Sequence, residues 1–388
     1  MQDPPGRYVL PLIIFSQFAG TSLWFAGNAV ISGMQADLHL PPASLGWITS
    51  TVQLGFITGT LLFALLALAD RFSPVRLFLL CSVLAAACTA AIAALSPGLW
   101  PMLLLRFCTG FFLAGIYPVG MKIAADWYGG SLGKAIGYLV GALVLGTAFP
   151  HLVRALGGQL PWQAVLWSVS ALAITGGLLL ALFVGDGPGR QAGARFRPGV
   201  LSELFYIPSY RAASFGYFGH MWELYAFWAL VPVWMSLYST AHEIELPISL
   251  LSFLIIGLGA ISCALGGHLS VKRGSAWVAR VCLAGSGFCC LLSPLLFFAP
   301  VWVFIPFLIL WGLLVIGDSA QFSALAAAEA PAQYRGTALT IMSSIGFFIT
   351  IGSIQLLTWL SLSGTGPYLF LLLLPGPALG LFAMRRLG

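Results

Sequence analysis

The stretch GDGPGRQAGARFRPG, residues 185–199, is the one polar run in a chain that is otherwise strongly apolar. Of the 388 residues, 60% are hydrophobic and 7% are charged, and the mean hydropathy is +0.98. Soluble globular proteins carry about 25% charged residues, because their surface faces water. The composition therefore predicts a polytopic membrane protein, and the Gly-, Pro- and Arg-rich run is expected to link two membrane domains.

Apolar stretches of membrane-spanning length lie on both sides of this linker, six before it and six after it. Each is long enough for the ~20 residues that cross a bilayer as a helix, which satisfies backbone hydrogen bonds in lipid. The predicted spans are residues 8–31, 44–68, 75–95, 99–125, 134–156, 161–184, 212–237, 247–271, 276–298, 301–328, 336–361 and 366–385. The sequence thus predicts an all-α protein with one bundle over residues 1–184, a cytoplasmic linker over 185–211 and a second bundle over 212–388.

Positive charge is confined to one side of the predicted membrane. All but Arg106 and Arg154 of the 17 Lys and Arg residues fall at the same set of helix ends and loops. By the positive-inside rule we expect the chain in the cytoplasmic (inner) membrane with both termini in the cytoplasm. This bias accounts for the net charge of +6, so no nucleic-acid partner is predicted.

Short motifs echo each other in the two halves. GKAIG at residues 133–137 follows the fourth span, and GTALT at 336–340 follows the tenth. LALADRFSPVR at 66–76 has a degenerate second copy in GGHLSVKRG at 266–274, and RFCTGFFLA at 106–114 has an Arg-xxx-Gly-xxx-Ala pattern. Internal repeats of this kind are common in secondary transporters. The sequence has no GxxxxGK[ST] motif, so ATP is not the predicted energy source.

In these motifs and in its six-plus-six arrangement, the sequence resembles the major facilitator superfamily of secondary transporters. The stretch 66–76 resembles the signature that follows the second helix and keeps Asp70 and Arg71. It departs by having Leu66 and Ser73 where glycine is usual, and Pro74 where a basic residue is usual. The resemblance implies two pseudo-symmetric six-helix bundles and a gating role for Asp70 and Arg71.

The fifth span differs from the signature of many drug/proton antiporters, which pairs Gly-Pro with a following Gly-Gly. The corresponding stretch here is LGTAFPHLVRALGG, residues 145–158. Phe149 precedes the proline, and Val153 and Arg154 stand where small residues are expected. This departure disfavours drug efflux without excluding it.

Four ionisable residues lie inside predicted spans: Arg106, Arg154, Glu223 and Asp318. Facing lipid, they would together cost on the order of 10 kcal/mol. They are therefore expected to face a cavity or a partner, whereas Lys122 near a helix end is expected to extend to the lipid headgroups. The resemblance implies that the first, fourth, seventh and tenth helices line a central path, and three of these carry such a charge.

Polar side chains at helical spacing form a candidate substrate site. The planar fork of arginine suits carboxylate or phosphate, and helical phase shows which residues share a face. The candidate substrate-binding residues are Arg154, Arg106, His151, Gln17, Trp24, Asn28, Tyr117 and Gln321. The alternatives are that Arg106 anchors a neighbouring backbone and that the tryptophan is a packing residue.

The stretch GYFGHMWELYAFW, residues 216–228, places Glu223 one helical turn from His220 near the predicted midplane. A carboxylate at this depth can take up and release a proton as its exposure changes. We therefore predict that Glu223, His220 and Asp318 couple transport to protons. The alternatives are a fixed salt bridge between Glu223 and an arginine, and a capping or arginine-pairing role for Asp318.

Together these features predict a proton-coupled secondary active transporter, a symporter or antiporter that moves a small anionic metabolite by alternating access. A drug/proton efflux antiporter, a lipid flippase and a non-transporting sensor remain alternatives, as does sodium coupling. The expected partners are the small-molecule substrate, the proton and the lipid bilayer, and we expect a monomer. No nucleophile–base constellation indicates an enzyme or a cofactor, and the His-x-x-Glu pair has too few ligands for a zinc site.

Overall fold

The computed structural model describes residues 6–128, 132–158, 160–190, 198–385 and 387. Within these ranges the secondary structure is helical, without strands. Residues 191–197 of the predicted linker lie outside the described residues, as do the side chains at the start of the GKAIG motif.

The first half supplies six helices that follow the predicted spans closely. These are α1 (Val9–Thr21, Ala26–Ala29 and Ile31–Leu38), α2 (Ser44–Leu65), α3 (Pro74–Leu95), α4 (Leu99–Leu113 and Tyr117–Tyr128), α5 (Leu132–Gly157) and α6 (Trp162–Phe183). A short helix, Leu68–Arg71, lies in the loop between α2 and α3.

The second half repeats this arrangement. Its helices are α7 (Pro208–Ala241), α8 (Ile248–Gly257 and Gly259–Arg273), α9 (Ser275–Phe297), α10 (Val301–Gly317 and Ser319–Glu329), α11 (Arg335–Ser361) and α12 (a 3₁₀ segment Gly366–Leu373 and an α segment Pro375–Met384). The short helix Leu201–Tyr206 precedes α7 and lies within the predicted linker.

In the part of the chain that the structure describes, eleven helices, α2 to α12, are long and apolar enough to cross a membrane. The longest segment of α1, Val9–Thr21, has only 13 residues. Its end is marked by hydroxyl groups that bond to the preceding turn: Thr21 Oγ1 donates to the Gln17 carbonyl at 2.8 Å, and Ser22 Oγ donates to the Ala19 carbonyl at 2.7 Å. Such bonds compete with the helical pattern and bend helices.

The same close helix contact occurs in both halves. A Cβ atom on Gly110 of α4 would lie 2.0 Å from the Val52 carbonyl oxygen of α2, and one on Gly312 of α10 would lie 2.0 Å from the Ile255 carbonyl oxygen of α8. Only glycine permits this approach, which is typical of helix packing in membranes. The predicted all-α polytopic fold is confirmed, and equivalent helix pairs pack alike in its two halves.

The chain separates into two compact units. One comprises Met1–Leu40 and Thr51–Phe196, and the other comprises Pro41–Ser50 and Arg197–Gly388. We call them the N-terminal and the C-terminal unit, and the first turns of α2 group with the C-terminal unit.

Candidate functional site

Arg106 of α4 lies inside the N-terminal unit with 1% of its surface exposed. Its guanidinium donates to the Leu23 carbonyl at 3.1 Å and to the Trp24 carbonyl. Both acceptors lie where α1 is interrupted, and an interrupted helix leaves carbonyl groups without their usual partners. Arg106 is therefore hydrogen-bonded to the interruption of α1, as the anchoring alternative expects, and its role as a ligand stays a prediction. Among the described residues, no carboxylate forms an ion pair with this buried cation.

Two further predicted ligands of the N-terminal unit are buried with polar atoms unsatisfied. Both amide atoms of Gln17 and the Nε2 atom of His151 have no hydrogen-bond partner among the described residues. Gln17 of α1 packs directly on α4, because a Cβ on Gly120 would lie 2.0 Å from Gln17 Oε1. Buried polar groups are rarely left unpaired, so these atoms are candidates to bind a ligand or water.

Aromatic surface adjoins the carbonyl that Arg106 binds. The Trp24 indole N–H donates to Gln53 Oε1 at 3.1 Å, and its ring lies 4.7 Å from the Phe56 ring, both on α2. Gln53 was not among the predicted site residues, although a glutamine in an otherwise apolar helix indicates a candidate site residue. Of the remaining candidates in this unit, Asn28 is buried and Tyr117 half-buried.

Arg154 contacts a different part of the N-terminal unit. It lies near the end of α5, and its guanidinium donates to the Leu160 carbonyl at 2.8 Å in the loop before α6. Arg106, by contrast, is bonded to the break of α1. The predicted anion site that would use both arginines stays a prediction.

Glu223 of α7 lies inside the C-terminal unit and is fully buried. Its Oε2 atom accepts a hydrogen bond from Ser286 Oγ at 2.9 Å, with Cys290 Sγ at 3.7 Å. Ser286 Oγ in turn accepts from the Trp311 indole N–H at 3.0 Å. The sequence did not predict these three residues of α9 and α10, because small residues and an aromatic ring in apolar helices look like packing residues.

His220 was expected to act beside Glu223, one helical turn away, and this stays a prediction; the structure pairs the His220 ring with Asp318. His220 Nδ1 lies 2.8 Å from Asp318 Oδ1, with both side chains fully buried. Asp318 is the residue at which α10 is interrupted, between Gly317 and Ser319. The predicted ligand Gln321 is buried one turn further on. Among the described residues, neither carboxylate pairs with an arginine, so the salt-bridge alternative is not observed.

The predicted gating residue Asp70 forms an ion pair within the N-terminal unit. Lys122 Nζ of α4 lies 3.1 Å from Asp70 Oδ1 and 3.7 Å from Asp126 Oδ1. Lys122 therefore pairs with two carboxylates, and the expectation that it extends to lipid headgroups stays a prediction. Arg71 is exposed, and its guanidinium lies 3.5 Å from the Leu66 carbonyl oxygen.

The segment after α6 joins the same polar end of the unit. Arg190 pairs with Asp186 at 3.1 Å and donates to the Phe72 carbonyl at 2.7 Å. Asp186 also accepts from Ser73 Oγ at 2.7 Å. The α2–α3 loop, α4 and the chain after α6 are thereby tied together by charged groups.

We expect Asp70→Asn to slow transport while leaving substrate affinity within about twofold. The Asp70–Lys122 pair is about a fifth exposed, and a pair of this kind contributes ~1 kcal/mol or less, which limits the rate effect to about fivefold. Initial uptake rates and equilibrium binding measure the two quantities separately. Glu203→Gln, at an exposed position, is the control. A large loss of affinity at a normal rate would contradict a gating role.

Comparison with known proteins identifies the family. Residues 12–354 match the family model described as Major Facilitator Superfamily. A protein of Haemophilus influenzae named for metabolite transport is 30% identical over 133 residues, 32% of this chain and 32% of that protein. The Bacillus subtilis protein NiaP, named for niacin/nicotinamide transport, is 30% identical over 97 residues, 25% of this chain and 24% of that protein. The aligned segments thus span a third or less of these relatives.

Solved structures share the fold over nearly the whole chain. A bacterial homologue of the human lysosomal transporter Spinster, in an inward-facing and unoccupied conformation, has a TM-score of 0.70 at 16% identity and covers 99% of this chain and 95% of its own. A mutant of the nucleoside transporter NupG has a TM-score of 0.74 at 14% identity, with coverages of 97% and 99%. The family match confirms the prediction of a transporter of this superfamily rather than an enzyme, and these neighbours confirm the fold.

Proposed function

The chain belongs to the major facilitator superfamily, and from this premise we propose that it moves a small anionic metabolite across the cytoplasmic membrane by proton-coupled alternating access. Its basic loops would face the cytoplasm together with both termini, and the monomer would be the transporting species. The N-terminal unit binds the substrate anion, and the C-terminal unit carries the coupling proton.

The observation that carries this proposal is the buried charge of Arg106, which forms no ion pair among the described residues. A cation removed from water is costly unless an anion or several hydrogen bonds compensate it. Two carbonyl oxygens supply part of the compensation, and Nε of Arg106 has no partner among the described residues. A substrate carboxylate would supply the opposite charge, while Gln17 and His151 of the same unit offer further hydrogen bonds.

The chemical class that fits is a small heteroaromatic carboxylate. Trp24 presents both a carbonyl that Arg106 binds and an indole ring packed on Phe56, so aromatic surface adjoins the positive charge. NiaP, the relative named for niacin/nicotinamide transport, makes nicotinate the first compound to test. Nicotinamide has nearly the same shape without the charge, so this pair separates recognition of the ring from recognition of the anion.

Glu223 is the proposed proton carrier because its partners allow both of its protonation states. A cation beside it would hold it as the carboxylate, whereas a serine hydroxyl can donate to a carboxylate or accept from a carboxylic acid. Ser286 is such a partner at 2.9 Å. The His220–Asp318 pair is proposed as a second titratable group of the same unit.

We expect the purified protein in vesicles to accumulate nicotinate when the outside is made acidic. One proton per anion sets a limit of about tenfold accumulation per pH unit, since a tenfold ratio corresponds to about 1.4 kcal/mol. Radiolabelled nicotinate and nicotinamide are compared in the same vesicles. Protein-free vesicles are the control, because the uncharged acid crosses lipid unaided.

Three outcomes would contradict the proposal. Equal accumulation of both compounds would show that the protein does not recognise the anionic charge. Accumulation that follows a sodium gradient would show that sodium, and not the proton, is the coupling ion. Exchange of a lipophilic cation against protons, without any effect of nicotinate, would favour the drug-efflux alternative.

A further inference from the structure

A groove of about 300 Å³ lies on the N-terminal unit between the end of α5 and the start of α6. Its walls are formed by apolar side chains and small residues, among them Val153, Leu160, Ala164 and Val165. Leu156 at its edge is 79% exposed. Exposed leucine on a membrane-spanning unit is surface that lipid covers, so the groove is open to acyl chains.

The groove lies at the end of its helices, where a membrane protein meets the headgroup region. Helix α5 ends at Gly157 and α6 begins at Trp162. Trp167 of α6, next in sequence to the groove residue Ser168, is 48% exposed and is a residue type enriched at the membrane interface. A ligand in this groove would therefore have its polar part at headgroup level and its apolar part along α5 and α6.

Arg154 is the one charged residue among the described residues that line this groove. Its bond to the Leu160 carbonyl at 2.8 Å holds the guanidinium over the groove. A guanidinium has five N–H donors, and this contact uses one of its terminal nitrogens. The planar fork of arginine binds phosphate through two oxygens at once.

We propose that this groove binds an anionic phospholipid, with the lipid phosphate on Arg154 and an acyl chain against α5 and α6. The combination of one cation with an apolar channel matches an amphiphile that carries one negative charge, such as phosphatidylglycerol. A small soluble anion would leave the apolar walls uncovered. The inference is independent of the transported substrate and assigns Arg154 to the lipid instead of to that substrate.

Photoreactive lipids test the site locally. The protein is placed in vesicles of phosphatidylcholine and phosphatidylglycerol. In one sample the acyl chain of phosphatidylcholine carries a photoreactive group, and in the other that of phosphatidylglycerol does. The labelled peptides are identified by mass spectrometry. We expect phosphatidylglycerol to label residues 153–168 about fivefold more than phosphatidylcholine. This ratio corresponds to the ~1 kcal/mol by which one arginine is attracted to an anionic lipid surface. Arg154→Gln should remove this preference, and Arg154→Lys should keep most of it.

Labelling near Lys272 and Arg273, at the basic end of α8, is the internal control and should be the same in every variant. Equal labelling of residues 153–168 by the two lipids, or an unchanged preference in Arg154→Gln, would overturn the proposal. So would suppression of the labelling by inorganic phosphate, which would indicate an anion site without a lipid. Loss of nicotinate binding in Arg154→Gln with unchanged lipid labelling would return Arg154 to the substrate site.

Discussion

Arg106→Gln is expected to weaken nicotinate binding by about 2–5 kcal/mol, roughly thirtyfold to several thousandfold, the cost of truncating one partner of a buried charge pair. Gln can still donate a hydrogen bond towards the carbonyls of Leu23 and Trp24, so part of the anchor to α1 is kept while the charge is removed. The affinity for nicotinamide, which carries no charge, should be the same in the variant and in the parent. Equilibrium binding of both compounds to purified protein measures the change.

The control separates the lost charge from a damaged fold. Arg273→Gln makes the same change at an exposed position of the C-terminal unit and should leave binding unaltered. The thermal unfolding midpoint of Arg106→Gln is measured in parallel, with and without ligand, because a ligand stabilises the state that it binds. A lowered midpoint together with parental nicotinate affinity would show that Arg106 only anchors α1.

The helical content and the number of spans follow from hydropathy, because lipid imposes the same requirement on every crossing segment. The interruptions do not follow from it. Helix α1 is broken near Thr21 and Ser22, where side-chain hydroxyls bond to the preceding turn, and hydropathy averaged over a span does not register single hydrogen bonds. The interruption of α10 at Asp318 escaped prediction for the same reason.

The partners of the buried charges were predictable only in part. Helical phase tells which residues share a face of one helix, and it correctly placed His220 and Glu223 on the same buried helix. It does not tell what the neighbouring helices present to that face. His220 therefore meets Asp318, and Glu223 meets Ser286, a residue that carries no signal in the sequence.

Residue type was a similarly incomplete guide. Arg106 and Arg154 were grouped as candidate ligands because both are arginines inside predicted spans. The structure bonds one to the interior break of α1 and the other to the loop after α5. Two arginines inside spans of one unit can thus have unrelated partners, and only the packing of the helices decides which partners they meet.

Glu223→Gln is expected to abolish proton-driven uptake by the protein, so that the initial rate of nicotinate uptake under a pH gradient falls to that of protein-free vesicles. Gln keeps the size of the side chain and can still bond to the Ser286 hydroxyl, so the C-terminal unit should fold. Because Gln cannot release a proton, the variant stays in the equivalent of the protonated state. Exchange of labelled for unlabelled substrate, which needs no net proton movement, should persist within about twofold of the parental rate.

Glu203→Gln provides the matched control, since it makes the same change at an exposed residue outside the bundle core. His220→Ala tests the second pair, because it removes the imidazole that lies 2.8 Å from Asp318. We expect the pH dependence of uptake to shift while accumulation persists. The decisive measurement is uphill nicotinate transport by Glu223→Gln under an imposed pH gradient. Accumulation at the parental level would exclude Glu223 as the proton carrier and assign the coupling to Asp318, the other buried carboxylate among the described residues of the C-terminal helices.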